Sequence, residues 1–152
     1  MPTPYVYDKA KYHYESIEQF GLPESHACNH TLPIIRWFIE NDLMSEFFIS
    51  ECSEQLSAFK AGELSALALY EWWDCCLISD MVSDKGNAFG MFYFDFEKGK
   101  YIADYKTTLQ GNLSTEFHVA FTEEDYQKLK NIIDMRYSNW MMPKKPWWKF
   151  WN

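Results

Sequence analysis

The chain is short of several things at once, and each shortage removes a class of function. Glycine occurs only six times in 152 residues, and no GxGxxG, P-loop or GxSxG pattern is present. Backbone loops that cradle phosphate and strained nucleophile turns are therefore not indicated. Cations are outnumbered, 14 Lys and Arg against 22 Asp and Glu, for a net charge of −8 and a pI near 4.9. Phosphate binding needs clustered Lys and Arg, so no nucleic acid or anionic membrane is expected as partner; a basic protein suits the charge. The longest apolar stretch, around "ALALYEWW", falls far short of the roughly 20 residues that span a bilayer. The opening "MPTPYVYDKAKYHYES" has no apolar region followed by a small-residue cleavage site, so no export signal is visible. The expectation is a soluble, cytoplasmic protein whose four cysteines, Cys28, Cys52, Cys75 and Cys76, are reduced thiols. They form no CxxC pair and no zinc spacing.

No repeat, low-complexity linker or charge block interrupts the chain, which reads as one domain over 1–142 and a Trp/Lys-rich tail over 143–152. Aromatic rings are plentiful, 19% of residues with seven Trp. That exceeds what a core of this size needs, so some rings are expected at the surface or in an interface.

Periodicity predicts about four helices. Ile34, Trp37 and Phe38 form a stripe in a helix starting at Thr31, with Pro33 in its first turn. A second helix is expected over 45–61 on Phe48, Cys52, Leu56 and Phe59, stopped by Gly62. A third, over 63–78, is apolar on nearly every side and is expected to be the central buried one. The last is capped by Thr122 with the acidic first turn "TEED", and Pro143 ends it. Between them "AFGMFYFDF" alternates two apolar faces, "EKGK" supplies a turn in which Gly99 can take positive φ, and "YIADY" returns. This pattern predicts a β-hairpin at about 88–96/101–107, with a third strand available at 115–121. The fold class is then α+β, a small antiparallel sheet packed by about four helices.

The stretch "ESHACNH" raises the question of a metal site. On a helix His26 and His30 would share a face and Cys28 would not. Pro33 weakens a helix there, and no HExxH or third ligand at a recognisable distance follows. Thr31 as N-cap and His30 as a hydrogen-bonded edge of the core account for the same residues. With the predicted hairpin, Asp95 and Asp104 fall diagonally on one face, where two acids can divide into general acid and base or serve a basic partner. Asp74, Asp80 and Asp84 match no metal loop. No cofactor, metal or catalytic residue is expected, although a small enzyme using these acids or His30 and His118 stays open. The tail "MMPKKPWWKFWN" can anchor at an interface, fill a groove or contact a partner. Pro143 and Pro146 prevent a stable helix, so no stable membrane association is expected.

Four segments, "YDKAKYHYE", "HTLPIIRWFIENDLMSEFF", "SDMVSDKGNAFGMFYFDFEKGKYIADY" and "IIDMRYSNW", together resemble an uncharacterised bacterial domain family found with polymorphic toxins and presumed to contain immunity proteins. The similarity runs from about Tyr7 to Trp140. It implies a role, the neutralising of a cognate secreted toxin by binding, such as a nuclease effector of a type VI or contact-dependent system. It carries no catalytic residues. On that reading the hairpin residues Tyr93, Asp95, Asp104 and Tyr105 are the candidate contacts with a basic toxin.

Overall fold

The helix Leu32–Glu40 is apolar on almost every side and lies in the core. Seven of its nine residues are buried, Trp37, Phe38 and Ile34 completely. Each such side chain contributes roughly 1.5–3 kcal/mol by leaving water. The computed structural model describes residues 3–143. In chain order these form β1 (Val6–Lys9), α1 (Tyr14–Phe20), α2 (Leu32–Glu40), α3 (Glu46–Glu51), α4 (Ser53–Lys60), α5 (Ala66–Trp72), β2 (Cys76–Ile78), α6 (Asp84–Tyr93), α7 (Tyr101–Tyr105) and α8 (Glu123–Met141). The tail beyond Pro143 lies outside the described residues.

The structure is helix-dominated, and this corrects the α+β expectation. Among the described residues the sheet is two short antiparallel strands, β1 on β2, with Val6 opposite Ile78, Lys9 opposite Cys76 and a register shift between Val6 and Asp8. The predicted hairpin is absent. Residues 88–93 complete α6, 101–105 form α7, and 106–110 continue as a π-helical turn. The third strand at 115–121 is replaced by a single 3-10 turn at Glu116–His118. The physical reason lies in the composition. When nearly every position is apolar, alternation no longer distinguishes a period of 2 from one of 3.6. Phe89 and Tyr93, four residues apart, are buried on one helical face, whereas Met91 and Phe92 are exposed. Ser83 decides the matter locally: its hydroxyl accepts the Gly86 amide at 3.1 Å and starts a helix.

The "EKGK" turn joins two helices instead of two strands. Asp95 Oδ1 accepts the amides of Glu97 and Lys98 at 2.9 and 2.8 Å. Gly99 does not adopt positive φ. It is needed for space, because a Cβ there would lie 2.1 Å from the Tyr93 carbonyl oxygen.

Two other helices are shorter than their patterns suggest. The 45–61 segment breaks at Cys52 (φ −125°, ψ 36°) into α3 and α4, with Phe48, Cys52 and Leu56 still facing inward. The 63–78 segment stops at Trp72, because Asp74 and Cys75 take positive φ (56° and 53°) and turn the chain into β2. The central helix is therefore α2.

Long α8 closes over α2 and α6. The Trp37 ring sits 5.4 Å from Phe89 and 5.1 Å from Tyr137, centroid to centroid, and its indole N–H donates to Asp134 at 2.9 Å. Thr122 caps α8 as its sequence indicates, accepting the Asp125 amide at 3.1 Å. Arg36 clamps the two helices: it donates to Glu123 at 3.0 Å and to Glu40 at 3.1 Å, with its guanidinium 3.9 Å over the Tyr126 ring.

Because the clash at Gly99 is with backbone, Gly99→Ala should lower the unfolding free energy by about 2 kcal/mol. Urea denaturation measures it; an unchanged midpoint would show that Gly99 is not packed against the Tyr93 carbonyl.

Candidate functional site

The N-terminal strand carries a carboxylate into the interior. Asp8 is 2% exposed and three groups converge on it. His13 Nε2 donates to Oδ1 at 2.7 Å, the Thr31 hydroxyl donates to Oδ2 at 2.7 Å, and His30 Nε2 lies 3.0 Å from Oδ2. Each comes from a different place. Asp8 alternates inward on β1, His13 stands at the N-cap position of α1, and His30 and Thr31 lead into α2. Neither His13 nor Thr31 caps its own helix with its side chain, since both are turned to Asp8 instead.

Burial alone would raise the Asp8 carboxyl pKa. The contacts and charge of the His13 and His30 rings reverse that and hold it at about 2. The His13 and His30 rings meet edge-to-face at 4.7 Å, and Phe117 packs 5.2 Å from His13 and 5.5 Å from His30. The Tyr101 hydroxyl donates to the His30 carbonyl at 2.6 Å. One polar atom is left over: His30 Nδ1 is buried and has no hydrogen-bond partner.

Of "ESHACNH", only His30 belongs to this cluster. Residues 24–27 form a 3-10 turn, so the helical pairing of His26 with His30 does not arise. His26 Nδ1 contacts the Phe117 carbonyl at 2.6 Å, and Cys28 packs its sulfur 3.9 Å from that of Cys75. Burial pushes the Cys28 thiol up, away from the reactive thiolate. His118 contacts the Thr115 hydroxyl at 2.8 Å. Asp8 and His13 escaped the sequence reading. Five residues apart in "YDKAKYH", they are brought together only by the strand-to-helix reversal at Ala10–Tyr12.

The four residues expected at a partner surface sit elsewhere. Tyr93 and Tyr105 are buried. The Tyr93 hydroxyl donates to Asp104 at 2.7 Å, and Arg136 donates to the same carboxylate at 3.0 and 2.9 Å, locking α6, α7 and α8 together. Asp95 accepts the Tyr5 hydroxyl, which holds its carboxyl below the usual range and ties the α6–α7 turn to the N-terminus. Asp95 and Asp104 therefore serve two different junctions. Asp74, Asp80 and Asp84 are exposed.

A surface with a different character lies on α3 and the end of α5. Phe47 is 49% and Trp72 42% exposed. Both rest edge-on against Trp73, at 5.7 and 5.2 Å, and Trp73 stacks on buried Phe48 at 5.0 Å. Between residues 37 and 84 the chain has ten carboxylates and one cation, Lys60, a charge of −9 where the whole chain carries −8. Exposed Glu46, Glu51, Glu71 and Asp74 stand on the same elements as the rings or next to them in the chain. A separate groove of about 650 Å³ is lined by residues that include Arg36, Glu40, Lys60, Leu64, Phe121 and Glu123. Its Arg36 is already paired with Glu40 and Glu123.

Asp8→Asn keeps the shape of the side chain but leaves its partners without an anion. It should cost about 3 kcal/mol of stability, at the lower end for breaking a buried pair. Asp8 has a depressed carboxyl pKa, so its contribution is present above the unfolded value of 3.8 and disappears as pH falls towards about 2. Urea titrations from pH 5 to pH 2 should show a steeper loss in the parent than in the variant; parallel curves would contradict the assignment.

The model of a domain of unknown function, DUF7832, matches residues 6–119, a span that holds Asp8, His13, His30 and the whole acidic stretch and ends before α8. No curated protein and no solved structure matches the chain. With well over half its length covered, the chain belongs to the DUF7832 family.

Proposed function

We propose that the protein is an immunity protein that binds and neutralises a cognate antibacterial toxin domain with a basic surface. The toxin role comes from the resemblance of the four quoted segments. The observation that carries the binding mode is the Phe47–Trp72 surface, where two exposed rings on a Trp73 support stand within the part of the chain that holds the net negative charge. Large rings at low entropic cost are the usual anchors of tight interfaces, and surrounding carboxylates steer a cationic partner and accelerate association. A toxin that attacks nucleic acid has a cationic cleft and would meet this face with complementary charge. No reaction and no cofactor is needed for inhibition of this kind. The reading places the contact on α3 and α5, in preference to Tyr93, Asp95 and Asp104, whose polar groups are hydrogen-bonded within the fold, and to Tyr105, which is buried.

Co-expression with a toxin domain found in an adjacent reading frame should restore growth and yield a complex that co-purifies. Phe47→Ala and Trp72→Ala should each weaken that complex about 10-fold or more, as truncation of a hot-spot ring does, while leaving the unfolding midpoint nearly unchanged. Association should slow as salt rises from 0.05 to about 0.5 M. Continued killing despite soluble protein would sink the proposal, and full protection by the doubly substituted protein would move the interface elsewhere.

A further inference from the structure

The geometry points to a binding site for a divalent transition metal, of which Zn²⁺ is the representative, formed by Asp8, His13 and His30. One donor atom from each lies within 4.8 Å of the others. Two imidazoles and one carboxylate are a donor set that favours zinc and its neighbours over magnesium or calcium, which prefer oxygen alone. Bonds of about 2.1 Å in a tetrahedral site put neighbouring ligand atoms about 3.4 Å apart. The Asp8–His13 and Asp8–His30 contacts, at 2.7 and 3.0 Å, are slightly shorter than that. The two contacts use different oxygens of the carboxylate, so an ion seats between rings and carboxylate once the Asp8 group turns and those contacts open by a few tenths of an ångström.

The supports a metal site needs are present around the triad. The ligands arrive from three separately anchored places, the β1–β2 pair and the starts of α1 and α2, so their geometry is set by the fold. Thr31 hydrogen-bonds the ligating carboxylate and Tyr101 holds the His30 backbone, the outer contacts that orient ligands. Phe96 and Phe117 flank His30 at 5.4 and 5.5 Å and keep the surroundings apolar. His13 is the least buried of the three, 17% exposed, and marks the side from which an ion enters.

The leftover atom of His30 bears on the same point. Coordination through Nε2 requires the ring proton to sit on Nδ1. In His30 no neighbouring donor occupies the Nδ1 lone pair, although the residue is 3% exposed, so that tautomer is open. The site is independent of the toxin-binding proposal and involves none of the residues of the Phe47–Trp72 surface.

The test is a Co²⁺ titration of the full-length, chelator-treated protein, followed by displacement with Zn²⁺. One equivalent of Co²⁺ should bind with visible bands and without the near-ultraviolet absorption of a cobalt–thiolate bond, and one equivalent of Zn²⁺ should raise the unfolding midpoint. Because His13 is partly exposed, His13→Ala is the substitution best placed to keep the fold, which circular dichroism checks. It should weaken binding by at least about 100-fold, the upper end of what loss of even an outer contact costs. Cys75→Ser and His26→Ala should leave binding intact. The proposal is overturned by an absence of saturable binding, by binding that survives in folded His13→Ala, or by a thiolate band that disappears with Cys75→Ser.

Discussion

An ionised carboxylate with almost no access to water is the constraint around which the N-terminal third of the molecule is organised. Isolated in a medium of low dielectric constant, such a group would carry a penalty of several kcal/mol and would neutralise itself. Asp8 stays ionised because His13, His30 and Thr31 are held against it. That requirement places three segments simultaneously. β1 must pair with β2 to put Asp8 inside, the chain must reverse at Ala10–Tyr12 to return His13, and α2 must begin where His30 and Thr31 face the strand. The start of α2 then sets the position of Trp37 and Phe38, which organise the aromatic core shared by α6 and α8. Polar pairing and apolar packing are in series here.

The same logic separates what could be read in the residue order from what could not. Helices with strong local signals were legible: Pro33 in the first turn of α2, and Thr122 with three following acids at the start of α8. The start of α8 is set by a side-chain cap and by charge within a few residues, and that of α2 by the fixed φ of Pro33. The hairpin expected at 88–107 failed where local pattern is silent. Phe, Tyr and Met at consecutive positions satisfy either period, and the helix is selected by the Ser83 cap together with packing that buries Phe89 against Trp37 and Tyr137. Cys52, Asp74 and Cys75 cut long apolar runs through backbone conformations that no propensity announces.

The candidate sites were legible to different degrees for a related reason. His30 could be singled out from its cluster with His26 and Cys28, but its real neighbours, Asp8 and His13, are fixed by tertiary pairing of strands distant in the chain. Tyr93, Asp95, Asp104 and Tyr105 were expected as partner contacts on one hairpin, and the hairpin does not form. With Tyr93 ending α6, Asp95 in the turn and Asp104 and Tyr105 on α7, Tyr93 and Asp104 meet each other and Arg136. The expectation that surplus rings lie at the surface does find residues that answer to it, Phe47 and Trp72.

How those rings are mounted matters more for binding than the fact of their exposure. A ring on a mobile loop loses conformational freedom when it docks, and that loss subtracts from affinity. Phe47 and Trp72 lean on Trp73, which is itself stacked on the fully buried Phe48. The contact surface is thus continuous with the core, and its rotamers are set before any partner arrives. The carboxylates beside it are exposed, and in the proposed immunity role they would act at a distance, bringing a cationic partner to the face at a rate that salt can tune. A rigid apolar centre for slow dissociation and a charged margin for fast association are what a neutralising protein needs to act before its target does.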